Sequence, residues 1–119
     1  MDSNTTKKLL DKYYDFLRKK EDWDSLLSDD FLLTGTGIKE SRGREAYKGN
    51  NFFRCVLDLK VKTMIIDGDS ACAVVNYDLM SPKGNKFNVD IAEIWKVRGG
   101  KLASIVVYFD TVYFQKMMS

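Results

Sequence analysis

The second half of the chain sets the tightest limit on what it can fold into. From Leu59 onward, four runs carry apolar residues at alternate positions: "LDLKVKTMIID", "ACAVVNYDLM", "KFNVDIAEIWKV" and "KLASIVVYFD". Only "GDS", "SPKGN" and "RGG" separate them. A period of two with one apolar side is the pattern of a strand that buries one face. Connections this short cannot hold a crossover, so the runs are expected to pair as an antiparallel meander. A sheet with one apolar face must lay that face on something. The first half of the chain has to supply it.

That half reads as helices. In "TTKKLLDKYYDFLRKK", Leu9, Leu10, Tyr13, Phe16 and Leu17 recur at helical spacing, with Lys8, Lys12, Asp15 and Lys19 between them as a solvated face. Asn4 or Thr5 is available to cap its start. "EDWDSLLSDDF" suggests a short second helix with Asp22 as cap and Trp23, Leu26 and Leu27 as its apolar side. "DDFLLTGTG" suggests a short strand running into a glycine-rich bend. Gly35 and Gly37 are not a nucleotide loop, since Glu40 stands where a third glycine belongs. "SRGREAYKGNNFFRCVL" suggests a third helix carrying Ala46, Phe52, Phe53 and Val56, weakened in its middle by Gly49, Asn50 and Asn51. Three helices followed by a four- to five-stranded antiparallel sheet make an α+β domain spanning residues 1–119. A strongly bent sheet wrapped round the first helix would leave a cone-shaped cavity, and the supply of aromatic residues suits one.

The residue inventory restricts the chemistry. The 119 residues include no histidine, which removes Ser-His-Asp and Cys-His catalysis and imidazole metal sites. Proton chemistry must then rest on carboxylates, Tyr, Lys or Cys. No metal or organic cofactor is implied. Cys55 and Cys72 lie among apolar neighbours without metal-like spacing and are expected to be reduced core thiols of a cytoplasmic protein. A formal net charge of +2 gives no reason to expect a nucleic-acid partner. No apolar stretch has the ~18 residues of a membrane helix, and "MDSNTTKKLL" lacks the apolar core of a signal peptide.

Several local motifs, in this order, resemble the nuclear transport factor 2-like superfamily and its SnoaL-like group. "YYDFLRKKEDWDSLLSDDF" is similar to that family's first helix, helix-opening Asp and entry to the first strand. "SRGREAY" is similar to its Gly-Arg-Glu start of helix three, and "AEIWKVRGGKLASIVVYFD" to its last hairpin. The resemblance implies a cone-like half-barrel of bent antiparallel sheet round a long N-terminal helix, paired as a homodimer through the outer sheet face. It implies a small-molecule-binding protein with an apolar or aromatic pocket, open to acid–base isomerase, cyclase or dehydratase chemistry on a hydrophobic substrate. The alternative is a non-catalytic ligand-binding or dimerisation module of the same fold.

Carried over residue by residue, the resemblance names three candidates for chemistry. In ketosteroid isomerase relatives an acid on the penultimate strand and a Tyr on the first helix form an oxyanion hole. The matching positions are Glu93 and Tyr14. Strand phase agrees, because Phe87, Val89, Ile91, Glu93, Trp95 and Val97 share one side. A carboxylic acid there must stay protonated to donate, which an apolar pocket can arrange. The isomerases' base has no counterpart, since no carboxylate lies between Asp30 and Glu40. In polyketide-cyclase relatives an Asp ending the last strand is acid or base, and Asp110 holds that place. Alternation turns Asp110 away from the side of Ile105, Val107 and Phe109, so it reaches the cavity mouth only if the strand bends there. Its other expected role is to hold backbone amides where the chain leaves the sheet. Epoxide-hydrolase relatives need a strand-borne Arg, and Arg42, Arg44, Arg54 and Arg98 are expected on helix or turn segments. The expected ligand-binding wall is Tyr13, Phe16, Trp23, Phe53, Ile91, Trp95, Val107 and Phe109.

Overall fold

The computed structural model describes residues 2–119. Helix α1 spans Ser3–Lys19, and a single 3-10 turn at Trp23–Leu26 leads into strand β1, Leu27–Gly35. A two-residue strand β2, Ser41–Arg42, precedes helices α2, Arg44–Lys48, and α3, Phe52–Cys55. The meander follows as β3, Val56–Asp67, β4, Ser70–Met80, β5, Lys86–Arg98, and β6, Lys101–Tyr108. Helix α4, Thr111–Met118, closes the chain. The six strands form one sheet in the order β2-β1-β6-β5-β4-β3.

The meander over β3 to β6 is antiparallel throughout, as its short turns require. β1 joins beside β6 in parallel, which corrects the expectation of a purely antiparallel sheet. Parallel neighbours need a long connection, and here that connection is most of the domain, so no local turn signal announces the pairing. Register shifts interrupt β3 between Val56 and Asp58 and between Val61 and Thr63, and the β5–β6 ladder at Lys96 and Val97. Such bulges bend a strand and sharpen its twist. The bent sheet turns one face inward around α1.

α1 fills that concave side because its apolar stripe is continuous. Leu10, Tyr13, Tyr14 and Leu17 are buried on it. The Tyr13 ring meets the Trp95 ring edge-on, with centroids 4.9 Å apart. Polar contacts tie the helix to the sheet rim: Thr6 Oγ1 donates to the Gly68 carbonyl at 2.6 Å, Arg18 Nε to Leu59 O at 3.1 Å and Lys20 Nζ to Val56 O at 2.8 Å. The cap of α1 is Asp2, which accepts from the backbone N–H of Thr5 at 2.8 Å, rather than Asn4 or Thr5.

Several local expectations need correction. The second helix is only one 3-10 turn, and the Asp22 side chain makes no cap bond. The third helix is two short pieces, α2 and α3, because Gly49 and Asn50 break it as their low propensity suggests. The break resets the helix phase, so Tyr47 is buried and Ala46 is exposed. The tail "TVYFQKMM" is helical. Cys55 is buried, whereas Cys72 is half-buried on the outer sheet face between inward-facing Ala71 and Ala73. Arg42 and Arg98 are exposed residues at strand ends, since β2 and β5 each extend to include them. They pair with Glu40 and Asp30.

The outer sheet face has two halves. Ile65, Ile94 and Tyr108 are exposed there, beside half-buried Cys72, Val74 and Val106. Toward the other end Asn76, Asn88, Asp78 and Asp90 hydrogen-bond to one another, and Lys62 caps Asp90 at 2.9 Å. No helix among the described residues is long and apolar enough to cross a membrane.

Candidate active site

Strand phase delivers Glu93 to the inner face. Along β5 every second residue from Phe87 to Val97 is buried, and Glu93 is the one carboxylate in that series. It is 4% exposed. Two phenols hold it. Tyr14 donates to Oε1 at 2.5 Å and Tyr77 donates to Oε2 at 2.7 Å. Trp95 Nε1–H donates in turn to the Tyr14 oxygen at 2.9 Å. That bond fixes the Tyr14 proton toward Glu93, since the oxygen already accepts from the indole. The carboxyl group is thus wired to α1 and β4 as well as to its own strand.

Burial dominates its ionisation. Desolvation pushes the Glu93 pKa up to about 7, against the opposing pull of the hydrogen bonds from Tyr14 and Tyr77. The phenols respond to the same surroundings. Tyr13, Tyr14, Tyr47 and Tyr77 are all pushed up, first by burial and also by the neighbouring Glu93 charge, so they remain protonated donors.

Glu93 opens onto a cavity of about 290 Å³. This is close to the lower end, about 300 Å³, of small-molecule sites. It is lined by Tyr77 of β4, Ile91 and Glu93 of β5, Leu33 of β1, Val107 of β6 and Phe109 just after that strand. Tyr47 of α2, Phe52 and Phe53 of α3 and Phe114 of α4 also line it, with Ile38, Lys39 and Asn50 from the loops. Gly35 lets β1 run close to β6 here, since a Cβ on it would lie 2.4 Å from the Val107 carbonyl oxygen.

Of the expected wall, Phe53, Ile91, Val107 and Phe109 line the cavity. Tyr13, Phe16, Trp23 and Trp95 do not, which is a correction: Phe16 stays half-buried on α1 beneath Lys12, and the other three share one cause. α1 lies so deep in the cone that its buried aromatic residues and the far end of β5 pack solidly on each other, with Tyr13 6.0 Å from Trp23 and 4.9 Å from Trp95 between ring centroids. The cavity is what remains at the open end, beyond Glu93. Tyr14 reaches it only through Glu93.

Asp110 is also placed differently from the mouth position. β6 ends at Tyr108, Phe109 turns inward, and Asp110 is exposed outside the cavity lining. Its carboxylate accepts from the backbone N–H of Tyr113 at 2.9 Å and caps α4. The strand stops at Tyr108, and Asp110 is taken up as the cap of the next helix instead of turning to the mouth. The expected wall left out Tyr47, Tyr77, Phe52 and Phe114, of which Phe52 and Tyr77 belonged to the aromatic supply suited to a cavity. Tyr77 was legible, because it alternates in phase with Val75 and Leu79 on β4. Tyr47 and Phe114 depend on two helices whose extent and docking no periodicity disclosed.

No group of three or more acidic or cysteine side chains among the described residues is arranged to hold a metal ion. The cavity's chemical resources are one protonatable carboxyl group, the phenols of Tyr47 and Tyr77, the Asn50 amide and the Lys39 ammonium.

Comparison with known proteins is consistent with this architecture. A SnoaL-like protein from Jannaschia sp. CCS1, described as a polyketide cyclase, superposes with a TM-score of 0.83 at 13% identity, covering 98% of this chain and 93% of that one. A protein from Kribbella flavida described as a ketosteroid isomerase gives 0.78 at 23% identity, covering 92% and 80%. TerC, crystallised with polyporic acid, gives 0.80 at 17% identity, covering 96% and 98%. At these identities the likeness establishes the fold alone. No curated protein matches the sequence. The SnoaL-like domain model matches residues 10–105, from the buried face of α1 to the middle of β6. The chain is therefore a member of the SnoaL-like domain family.

Proposed function

We propose that this protein binds a small apolar or aromatic molecule in the cone cavity and that Glu93 exchanges a proton with it, the chemistry shared by isomerases, cyclases and dehydratases of hydrophobic substrates. One observation carries the reading. A single carboxyl group, buried and poised near pH 7, faces a cavity lined mainly by apolar and phenolic side chains. A general acid or base works best when its pKa lies near the operating pH. Because Tyr14 and Tyr77 both donate to Glu93, the ionised form is the one the protein supports by hydrogen bonds, and it is ready to accept a proton from the ligand. Burial supplies the opposite pressure and returns the proton. The names of the Jannaschia and Kribbella proteins, and the molecule crystallised with TerC, agree with a small organic ligand.

The test is titration with 2-naphthol, a flat fused-ring phenol, followed by fluorescence. Saturable binding is expected in the wild type and its loss in Val107→Trp, which fills the cavity. Binding that survives Val107→Trp, or no saturable binding, would overturn the assignment.

A homodimer through the outer sheet face belongs to the same proposal, supported by the exposed band of Ile65, Ile94 and Tyr108. Light scattering at micromolar concentration should give twice the chain mass, and Ile94→Lys should give the monomer. Unpaired Cys55 and Cys72 fit a reducing, cytoplasmic setting.

A further inference from the structure

The buried phenols leave one proton without a partner. Tyr14 gives its proton to Glu93 and accepts from Trp95, and Tyr77 gives its proton to Glu93. Tyr13 and Tyr47 share a single hydrogen bond, 3.0 Å between their oxygens, and either could donate it. Each hydroxyl carries one proton, so one of the two must point elsewhere. The positions of the rings decide which. Tyr13 is 1% exposed and sealed behind the cavity among Tyr14, Trp23 and Trp95, where no second acceptor is in reach. A buried donor left unsatisfied is costly, so Tyr13 spends its proton on the Tyr47 oxygen. The Tyr47 proton is then free, and the Tyr47 side chain lines the cavity.

We propose that the Tyr47 hydroxyl is the specificity-determining donor of the cavity. It selects molecules that bring an acceptor oxygen, such as an aryl ketone, and orients them with the rest of the ring system over Glu93. The inference rests on the reading of the cavity as a ligand site, and it gives Tyr47 a role separate from the carboxyl group. Tyr13 gives its own proton to the Tyr47 oxygen from behind, and ring packing, not that bond, sets the direction of the Tyr47 phenol. The phenol ring itself is fixed by neighbours on three sides: Phe31 at 4.6 Å, Phe53 at 5.0 Å and Trp23 at 6.0 Å between centroids. A donor held this way loses little freedom when it binds, which is what makes it selective.

The experiment compares two probes of nearly equal shape, 2-acetylnaphthalene with a carbonyl acceptor and 2-isopropylnaphthalene without one. Wild type should prefer the ketone by roughly three- to tenfold, the range of one net hydrogen bond. Tyr47→Phe should bring the ratio to about one while hydrocarbon affinity stays within about twofold. Tyr13→Phe should keep the preference, because the Tyr47 proton survives. If Tyr47→Phe folds poorly, the double variant Tyr13→Phe/Tyr47→Phe removes both partners, leaves no orphaned hydroxyl, and should also show no preference. A ketone preference that persists without the Tyr47 hydroxyl, or that vanishes in Tyr13→Phe alone, overturns the assignment. Failure of both probes to bind wild type would refute the ligand-site reading itself.

Discussion

Replacing Glu93 by Gln removes the one buried titrating carboxyl group while keeping its shape, and the pH dependence of stability should change in a defined way. In the folded chain the Glu93 pKa is pushed up to about 7, from a starting value of 4.5. Between those values the native state holds a proton that the unfolded chain has released. The unfolded state binds fewer protons, so stability falls as pH rises. Each unit of difference is worth about 1.4 kcal/mol, and the whole window is worth about 3 kcal/mol. The loss begins above pH 4.5 and is complete just above pH 7. Burial outweighs the two phenolic hydrogen bonds because they are neutral donors, and no cation offsets the cost of removing the charge from water. Urea denaturation of wild type and Glu93→Gln at half-unit steps from pH 4.5 to 8 measures it, since the linear extrapolation gives each stability directly. The stability of wild type minus that of the variant should decline by about 3 kcal/mol across the range. Asp2, Asp30 and Asp90, whose pKa values are lowered by hydrogen bonds, act below this window and cancel in the difference. A flat difference would refute the burial argument. A rising one would mean that Tyr14 and Tyr77 stabilise the charge more than burial opposes it.

Tyr77→Phe takes away a hydrogen bond to the charged form, so the Glu93 pKa should rise above about 7 in a carboxyl NMR titration; no change or a fall would contradict the clamp. Asp110→Ala removes the cap of α4 and should cost about 1 kcal/mol in thermal melts, whereas Asp110→Asn, which caps equally well, should cost little. Neither should alter 2-naphthol affinity, and a loss of affinity in Asp110→Asn would return that carboxylate to the site. Gly35→Ala puts a methyl group against the Val107 carbonyl oxygen and should destabilise the fold by about 1–3 kcal/mol. Melting at the wild-type temperature would show that β1 and β6 can part without penalty.

The sequence by itself determined the meander and its inward face. Period-two alternation fixed which side of β5 carries Ile91, Glu93 and Trp95, and turns too short for a crossover made the neighbours antiparallel. The same alternation carried Val107 and Phe109 inward and left Asp110 outside, where it caps the next helix. The motifs of the first helix and last hairpin were enough to place the chain in its family. Periodicity records which side of an element is apolar, but it does not measure how deep the element sits or what lies opposite. Tertiary structure therefore decided that Tyr13, Trp23 and Trp95 pack as solid core, while Tyr47, Phe52 and Phe114 surround the cavity. It decided that β1 runs parallel to β6, a pairing separated by most of the chain. It also set the ionisation of Glu93, because that depends on Tyr14 and Tyr77 arriving from 79 and 16 residues away, and on the removal of water by the elements that carry them. Local pattern fixes the direction of a side chain, and only the packed fold fixes its partners and its dielectric surroundings.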